Sequence, residues 1–160
     1  MNSTGGFVNP EIDPVNGQLR DHAGLDILSE KDCVALMSAA PVGRIAFVDQ
    51  GEAVILPVNI GWWDQGVVFS TQRGSKLHAA VMGSRVAVEV DGFDESSQSG
   101  WSVLAHGVAS VVTDGRTIGS LDRLAVRSWV RPEKPKHWVQ VRIETISGRR
   151  TPAKQAEPGG

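Results

Sequence analysis

The feature that most constrains the fold is a series of β-rich runs joined by connections too short to hold a crossover helix. GRIAFV (43–48) and AVILPV (53–58) are separated by DQGE, a sequence typical of a hairpin turn. VVFST (67–71) follows after WWDQG, which reads as another turn. Parallel neighbours need a crossover of about a dozen residues, whereas antiparallel neighbours can be joined by two. The pattern therefore predicts an antiparallel sheet.

Three further runs bring the predicted strands to six. They are VAVEVD (86–91), WSVLAHGVASVVT (101–113) and HWVQVRIETI (137–146), with GFDESSQSG predicted to be a polar loop between the first two. Six strands of this length can close into a small barrel, which removes exposed sheet edges. We therefore expect a mainly β fold, a six-stranded antiparallel barrel with a few short helices.

Helices are predicted before and between the strands. Ser29 can cap a helix that ends before Pro41, with Asp32 in its first turn. Its apolar stripe consists of Cys33, Leu36, Met37 and Ala40. Residues 75–82 read as a second helix, and 115–128 as a third. The third is predicted to turn Ile118, Leu121, Leu124 and Ala125 inward.

Composition and length indicate one globular domain. The chain has 160 residues, of which 41% are hydrophobic and 21% charged, which is ordinary for a single domain with its own core. Residues 1–24 are polar and contain Pro10 and Pro14, so we expect a flexible N-terminal arm. The domain is predicted to span 25–150, followed by a disordered tail over 151–160.

Charge and motif content argue against several classes of function. A net charge of −2 without a basic block disfavours nucleic-acid binding. The sequence has neither an apolar run long enough to cross a bilayer nor a signal-peptide pattern at its start. Cys33 is the only cysteine, which fits a reducing cytoplasm. The four histidines lack metal-ligand spacing, and no Gly-x-Ser-x-Gly elbow is present.

The segment after VVFST can hold an anion. A helix N-terminus carries unpaired N–H groups and a partial positive charge. Gly74 allows close backbone approach, Thr71 and Ser75 supply hydroxyl donors, and Lys76 supplies a cation. These residues predict a phosphate cradle. The alternative is that Ser75 only caps the helix and Lys76 lies at the surface.

A second binding element is predicted at the end of AVILPV. If residues 53–60 pair with 66–71 as a hairpin, Asn59 lies on the same sheet as the cradle. A ligand with a phosphate at one end and a planar polar ring at the other could then span both. Backbone groups near Val58 and Ile60 would meet the edge of the ring.

Six segments, in order, carry a resemblance to a known family. They are PVGRIAF, ILPVNI, VVFSTQRGSKLHAA, VAVEVDGFD, GWSVLAHGVASVV and HWVQVRIETISGRR. This set resembles the pyridoxamine 5′-phosphate oxidase-like family of FMN-binding split barrels, in its short actinobacterial form, over about residues 27–151. The resemblance implies a six-stranded split barrel, a homodimer, and FMN held at the dimer interface.

The resemblance also implies roles for individual residues. The strand matching Leu56–Ile60 lies along the flavin ring, the end of VVFST and the cradle hold the phosphate, and the segment around Trp101 approaches from the partner subunit. The expected cofactor-binding residues are Val58, Asn59, Ile60, Ser70, Thr71, Gly74, Ser75, Lys76, Trp101 and Ser102.

Two positions depart from the family pattern. Relatives often have an aromatic residue where this chain has Ile60, and Arg where it has Ser70, so the usual F-R-T is F-S-T here. Losing that Arg removes a bidentate phosphate partner, so either FMN binding is weak or the ligand differs. Arg44 or Arg73 could supply the missing charge, and Trp62-Trp63 could supply the missing ring.

The predicted function is that of an FMN-dependent oxidoreductase that passes hydride between NAD(P)H, or another reductant, and a small-molecule acceptor. A flavin needs no catalytic side chain for this step, so none is assigned. The further arginines of true pyridoxamine phosphate oxidases are not evident. Two alternatives stay open: a reductase using the deazaflavin F420, and a non-catalytic flavin-binding, heme-binding or interaction protein.

Several other residues have two interpretations. Arg149-Arg150 could bind a nicotinamide cofactor's phosphate or a substrate's acid group, or could form a solvated basic end. His78 could approach the ligand or simply pack, and His106 is predicted to lie in a core or interface. Cys33 is expected to act as a buried hydrophobe. Glu89 and Asp91 are expected on the polar face of a strand.

Overall fold

The structure is a computed structural model that describes residues 11–14, 17–72, 77, 81–124, 126 and 136–152. Within these ranges the chain forms ten strands and two helices. In chain order they are β1 (Glu11–Ile12), β2 (Leu19–Arg20), β3 (Asp26–Ile27), α1 (Glu30–Ala39), β4 (Val42–Asp49), β5 (Glu52–Asn59), β6 (Gly61–Trp63), β7 (Gly66–Gln72), β8 (Arg85–Asp94), β9 (Ser99–Val111), α2 (Gly115–Leu121) and β10 (Lys136–Arg150).

All strand pairs in this part of the chain are antiparallel, as predicted. The sheet order is β1-β2-β3-β10-β9-β8-β4-β5, and β7 pairs with both β10 and β6. The six predicted strands are the six longest. The predicted count of six is wrong, because four strands of two or three residues add to it. Neither described helix has the length and hydrophobicity needed to cross a membrane.

The first hairpin forms as predicted, but the second uses a different strand. Gln50 and Gly51 connect β4 to β5 with φ of 50° and 86°, the left-handed values of a two-residue hairpin turn. The predicted pairing of residues 53–60 with 66–71 is wrong, because β7 pairs with β6. The chain turns away from β5 at Ile60, whose N–H donates to the Pro41 carbonyl (3.2 Å).

The barrel interior is filled by alternate residues of the long strands. Ile45, Val67, Phe69, Val88 and Val103 are fully buried in one apolar cluster. Helix α1 packs on this cluster through Cys33 and Met37, and Ser29 caps it by accepting from the N–H of Asp32 (3.1 Å). The predicted first helix, its cap and its buried stripe are confirmed.

Helix α2 covers the outer face of β7 and β10. Leu121 packs against Val68 and Trp138 in a second apolar cluster. The predicted helix over 115–128 is wrong in length, because α2 ends at Leu121. The N–H groups of Arg123 and Leu124 bond to carbonyls three residues back, which tightens and ends the helix. The predicted inward residue Ala125 lies outside the described residues.

Strands β8 and β10 are longer than predicted, whereas β9 has the predicted length but begins and ends two residues earlier. More than half of the predicted polar loop is strand, because Gly92–Asp94 extend β8 and Ser99–Gly100 begin β9. The β9–β10 ladder contains a bulge in which Glu144 is the extra residue. A Cβ at Gly107 would lie 2.0 Å from the Arg142 carbonyl oxygen, so only glycine fits beside this bulge.

Part of the segment predicted as an arm is folded onto the barrel. Strands β1, β2 and β3 extend the sheet from the end of β10, where Ile27 lies opposite Arg149. Arg20 joins Asp13 (2.7 Å) to Asp26 (2.9 Å). The domain boundary predicted at residue 24 therefore falls inside this three-stranded extension.

Candidate functional site

The last residues of β5 and Ile60 after it are largely buried. Val58 and Ile60 belong to the barrel core cluster that includes Phe69. The N–H of Ile60 donates to the Pro41 carbonyl, and the contact of backbone groups near Val58 and Ile60 with a ring edge stays a prediction. Asn59 is half-buried and lies opposite Val42 in the β4–β5 ladder.

Ser70 and Thr71 lie near the end of β7 and point to opposite faces. In the β7–β10 ladder Ser70 lies opposite Trp138, and Thr71 lies opposite His137. Thr71 is buried and Ser70 is half-buried, as expected from the alternation of a strand. Gly74, Ser75 and Lys76 of the predicted cradle lie outside the described residues, as do Arg73 and His78.

Trp101 and Ser102 lie at the start of β9. The half-buried Trp101 packs against the barrel core and lies opposite Gly92 of β8. A Cβ at Gly92 would fall 2.6 Å from the indole Nε1, so the ring rests directly on the glycine backbone. Ser102 is exposed and lies opposite Asp91 and Arg149.

The predicted cofactor residues that pair with β10 or its neighbours form two groups, Ser70 with Thr71 and Trp101 with Ser102. Thr71 lies opposite His137, whereas Trp101 lies opposite Arg150. Thirteen residues separate these two positions, which is about 43 Å measured along the strand at about 3.3 Å per residue. The register thus places the two groups near opposite ends of β10.

A cavity of about 410 Å³ lies between Trp101 and the end of β5. Pro41, Val42, Pro57 and Trp101 supply apolar walls, and Arg44 lies at its edge with Asp91. The volume is in the range of small-molecule sites. This cavity is the place where one chain brings Trp101 near the residues preceding Val58 and Asn59.

Arg44 is committed to a protein ion cluster. Its Nη1 lies 3.0 Å from Glu89 Oε2 and 2.7 Å from Asp91 Oδ1, and these hydrogen bonds raise the pKa of Arg44. Arg44 is thus paired with two carboxylates, and its suggested replacement of the missing phosphate arginine stays a prediction. Glu89 and Asp91 lie on the polar outer face of their strand, as predicted.

Other singled-out residues have structural surroundings. Trp62 packs against the main core and Trp63 against the second cluster, so both serve packing. Cys33 is buried, and desolvation raises the pKa of its thiol, as expected of an apolar residue. His106 is exposed on the outer face of this chain, with Nδ1 3.5 Å from Thr145 Oγ1, so a place in the core is wrong and a place in an interface stays a prediction. Among the described residues, no three His, Cys, Asp or Glu side chains cluster as metal ligands.

A second cavity, of about 630 Å³, was missed by the sequence analysis. It lies at the tip of the β8–β9 hairpin and is lined by Phe93, Trp101 and Arg150, among others. The sequence predicts only a polar loop for GFDESSQSG, and Phe93 is the one large apolar residue in it that could have indicated the cavity. Arg149, by contrast, is paired with Asp21 at 3.0 Å.

Comparisons with known proteins agree with this architecture. The family model described as pyridoxamine 5′-phosphate oxidase matches residues 29–150. The FAD-binding protein of Mycobacterium smegmatis is 31% identical with a TM-score of 0.68, covering 79% of this chain and 98% of that one. An FAD-binding protein of Mesorhizobium loti shares the fold at 24% identity and a TM-score of 0.67, over 80% of this chain and 99% of that one.

A relative found by sequence is the uncharacterized protein Rv0080 of Mycobacterium tuberculosis. It is 31% identical over 108 residues, which cover 64% of this chain and 70% of the relative. The family model spans α1 and every long strand from β4 to β10. The chain therefore belongs to the pyridoxamine 5′-phosphate oxidase-like family, with the split-barrel fold.

Proposed function

We propose that this chain is a flavin-dependent oxidoreductase that binds FMN, or the FMN portion of FAD, at the interface of a homodimer. One observation carries the proposal: the group of Ser70 and Thr71 and the group of Trp101 and Ser102 lie opposite positions about 43 Å apart along β10. A second copy of the chain can bring its Trp101 group to the Thr71 group of the first. The site is then complete only in the dimer.

The outer face of the barrel supports a dimer. Val48 and Ile55 are 66% and 65% exposed on the β4–β5 hairpin, and Leu104 is 37% exposed on β9. Beside Val48 and Ile55, Ala46 and Ala87 lie opposite each other and line a shallow, mainly apolar depression of about 430 Å³. Contiguous exposed apolar surface of this kind marks interaction sites. A second copy of the same face would remove it from water.

The choice between FMN and FAD follows from the phosphate end of the site. Ser70 offers a neutral hydroxyl where relatives often have arginine, so the protein holds a terminal dianionic phosphate less firmly. FAD carries a diphosphate and an adenosine that can add contacts. The names of two similar structures specify FAD, whereas the ordered motifs resemble an FMN-binding family. The FMN portion is common to both cofactors and would meet the same residues.

The chemical groups of the predicted site residues are of the types that can bind a flavin. The end of β5 offers backbone groups, β7 offers the hydroxyls of Ser70 and Thr71, and β9 offers the indole of Trp101. A bound flavin would supply the hydride chemistry, between NAD(P)H or another reductant and an acceptor. The protein's part is to bind the ring, exclude water with buried Val58 and Ile60, and position the acceptor. The single buried cysteine fits a cytoplasmic location.

The first test is spectroscopic. The purified protein is saturated with FMN, FAD or F420 in turn, dialysed, and its visible absorption is recorded. The flavin released by denaturation is then identified by chromatography, and NAD(P)H oxidation with and without electron acceptors is measured. We expect a flavin spectrum and flavin-dependent NAD(P)H oxidation.

Each other result has a definite meaning. Retention of F420 alone would assign the barrel to deazaflavin chemistry. Tight flavin binding without turnover for any reductant would make the protein a carrier. Protein that retains none of the three cofactors would overturn the proposed function.

A further inference from the structure

Strand β10 has an unpaired edge in its middle. On the side away from β9, it pairs with β7 as far as Arg142 and with β3 from Arg149 onward. Among the described residues, no strand pairs with residues 143–147 on that side. At about 3.3 Å per residue this gap is about 17 Å long, which is room for an extended segment of about five residues. An unpaired edge of this kind is a template for another strand.

The backbone groups of Ile146 point into this gap. The Gly148 carbonyl accepts from the N–H of Leu28 (2.9 Å), so it points away from β9. In a strand, the N–H and C=O groups of every second residue point to the same edge, so those of Ile146 also point away from β9. Those of Ser147 point toward β9, where Ser147 lies opposite Leu104. Ile146 therefore offers one donor and one acceptor to an added strand.

A cleft of about 540 Å³ lies along this edge, within the range of binding sites. Four consecutive residues of β10 line it. Because successive strand residues point to opposite faces, a cavity that touches four in a row touches the edge of the strand. The β10 residues are Ile143, Glu144, Thr145 and Ile146, and the facing wall consists of Glu30, Val34, Trp62 and Gln65.

The apolar part of the cleft lies on the inner face of the sheet. Through the β6–β7 and β7–β10 ladders, Trp62 lies on the same face as Val141. Val141 lies opposite Ala109, and Ile146 lies opposite Ala105. Both alanines are fully buried, so Trp62 and Ile146 face inward, where they pack against the core but stay half-buried. An apolar side chain on an added strand would complete their burial.

Glu30 gives the cleft its charge. It is exposed in the first turn of α1 and belongs to none of the ion pairs among the described residues. Glu144 also lines the cleft, but it is paired with Arg85. No lysine or arginine is among the described residues of the lining. The cleft therefore favours a cation over an anion.

The apolar and acidic features lie at opposite ends of the gap. Trp62 is at the end where β7 stops pairing, because its ladder partner Val67 lies opposite Val141. Glu30 is at the end where β3 begins to pair, because it follows Leu28, whose N–H bonds to the Gly148 carbonyl. Side chains on one face of a strand are two residues apart. An added strand would therefore need an apolar and a basic residue at that spacing.

We propose that this cleft binds an extended basic segment of a partner protein, which adds a short strand to the free edge of β10. An apolar side chain of the segment packs against Trp62 and Ile146, and a basic side chain two residues away pairs with Glu30. Main-chain hydrogen bonds supply affinity in this mode, and the side-chain pockets supply specificity. The binding does not depend on a flavin, so it goes beyond the proposed function.

The test uses the peptide acetyl-Thr-Val-Thr-Lys-Thr-amide as the probe. It is titrated into ¹⁵N-labelled protein, as purified, while the amide signals of β10 and the indole signal of Trp62 are followed. We expect saturable shifts of the Ile146 amide and the Trp62 indole. Hydrogen exchange at the Ile146 amide should slow, because the added strand takes up this N–H. The Ser147 amide points toward β9 and should exchange at an unchanged rate.

Matched peptides separate strand pairing from simple attraction. Two peptides carry backbone N-methyl groups at alternate residues, one in each of the two possible sets. One of them cannot donate to β10 and should bind about tenfold more weakly than the unmodified peptide. Replacing the lysine of the peptide by glutamate should also weaken binding about tenfold, because attraction to Glu30 becomes repulsion.

Matched variants locate the charge. Glu30→Gln should weaken binding of the lysine peptide about threefold, the usual size of an exposed ion pair. Glu52→Gln, an exposed change at the start of β5, should not. An unmoved Ile146 amide, equal binding of both methylated peptides and the unmodified one, or undiminished binding by Glu30→Gln would each overturn the proposal. Flavin binding is read separately by visible absorption, so failure of either proposal is recognised independently.

Discussion

The indole of Trp101 rests on the backbone of Gly92, its opposite residue in the β8–β9 ladder. A Cβ at residue 92 would lie 2.6 Å from Nε1, 2.7 Å from Cε2 and 2.9 Å from Cζ2. Because Trp101 lines both cavities, this one contact sets the shape of each. Glycine at position 92 is thus required by the ring above it.

Gly92→Ala should displace the indole and destabilise the protein by about 1–3 kcal/mol, the usual cost of overpacking. Urea denaturation measures the free energy of unfolding, and the Trp101 indole signal reports the displacement. Gly115→Ala is the matched control, because nothing lies within 4 Å of its added Cβ. In helix α2 that change should be neutral, or stabilising by up to about 1 kcal/mol. Equal stability of Gly92→Ala and wild type would contradict the contact.

Restoring the family's arginine should strengthen flavin binding. Ser70→Arg places a guanidinium at the half-buried end of β7, where a charge-assisted bond to phosphate would tighten FMN binding about tenfold. Ser110→Arg adds the same charge at an exposed position on β9 and controls for non-specific attraction. Fluorescence quenching of FMN gives both affinities. If Ser110→Arg binds FMN as tightly as Ser70→Arg, the phosphate does not lie at the end of β7.

The apolar outer face can be disrupted without harming the barrel. Ile55 is 65% exposed, so Ile55→Lys should leave the monomer folded, with an unfolding free energy within about 0.5 kcal/mol of wild type. A buried lysine on each side of an interface would prevent the dimer. Sedimentation should then show a monomer, and bound flavin should be lost with it. A monomer that retains flavin at wild-type affinity would show that one chain holds the whole site.

We expect the N-terminal extension, formed by β1, β2 and β3, to detach from the end of β10 at acid pH. Asp21 Oδ1 accepts from the N–H groups of Leu25 (3.0 Å) and Ala23 (2.9 Å). Its Oδ2 makes no well-aligned hydrogen bond to a described residue, yet lies 3.0 Å from Arg149 Nη1 as an ion pair. These contacts, led by the Leu25 N–H, lower the pKa of Asp21 below its ordinary value of 3.8. The stabilisation is therefore complete above pH 3.8 and is lost as the pH falls through the lower folded-state pKa.

Asp21→Asn tests this linkage. The variant should be less stable than wild type at pH 6, and the gap should close as the pH falls below 3.8, because wild-type Asp21 then becomes neutral as well. Urea titrations at pH 6 and at a pH below 3.8 measure the difference in unfolding free energy between the variant and wild type. A gap that stays constant with pH would mean that the Asp21 charge does not hold the extension.

The sequence predicted what local patterns determine. Alternation and short turns identified all six long strands, and Ser29 with Pro41 bounded α1. It did not predict which strand pairs with β7, because Ile60 leaves β5 through a bond to Pro41, which is distant in sequence. The cavity at Phe93 was missed for a similar reason. Arg150 also lines that cavity, but it is distant in sequence and is brought to the hairpin only by the pairing of β10 with β9.

The division of the flavin residues along β10 permits a decisive mixing experiment. Lys76→Ala removes the cation of the predicted cradle, and Trp101→Ala removes the group expected from the partner. Each homodimer should bind flavin weakly. In a mixed dimer, one site combines both defects, but the other joins an intact cradle to an intact Trp101. Unfolding and refolding the two variants together should therefore restore flavin absorbance that neither recovers alone.

A double variant refolded with wild type is the control, since each mixed dimer then has one defect in each site. No recovery on mixing, with dimers formed, would place both groups in one protomer's site and overturn the proposed shared site.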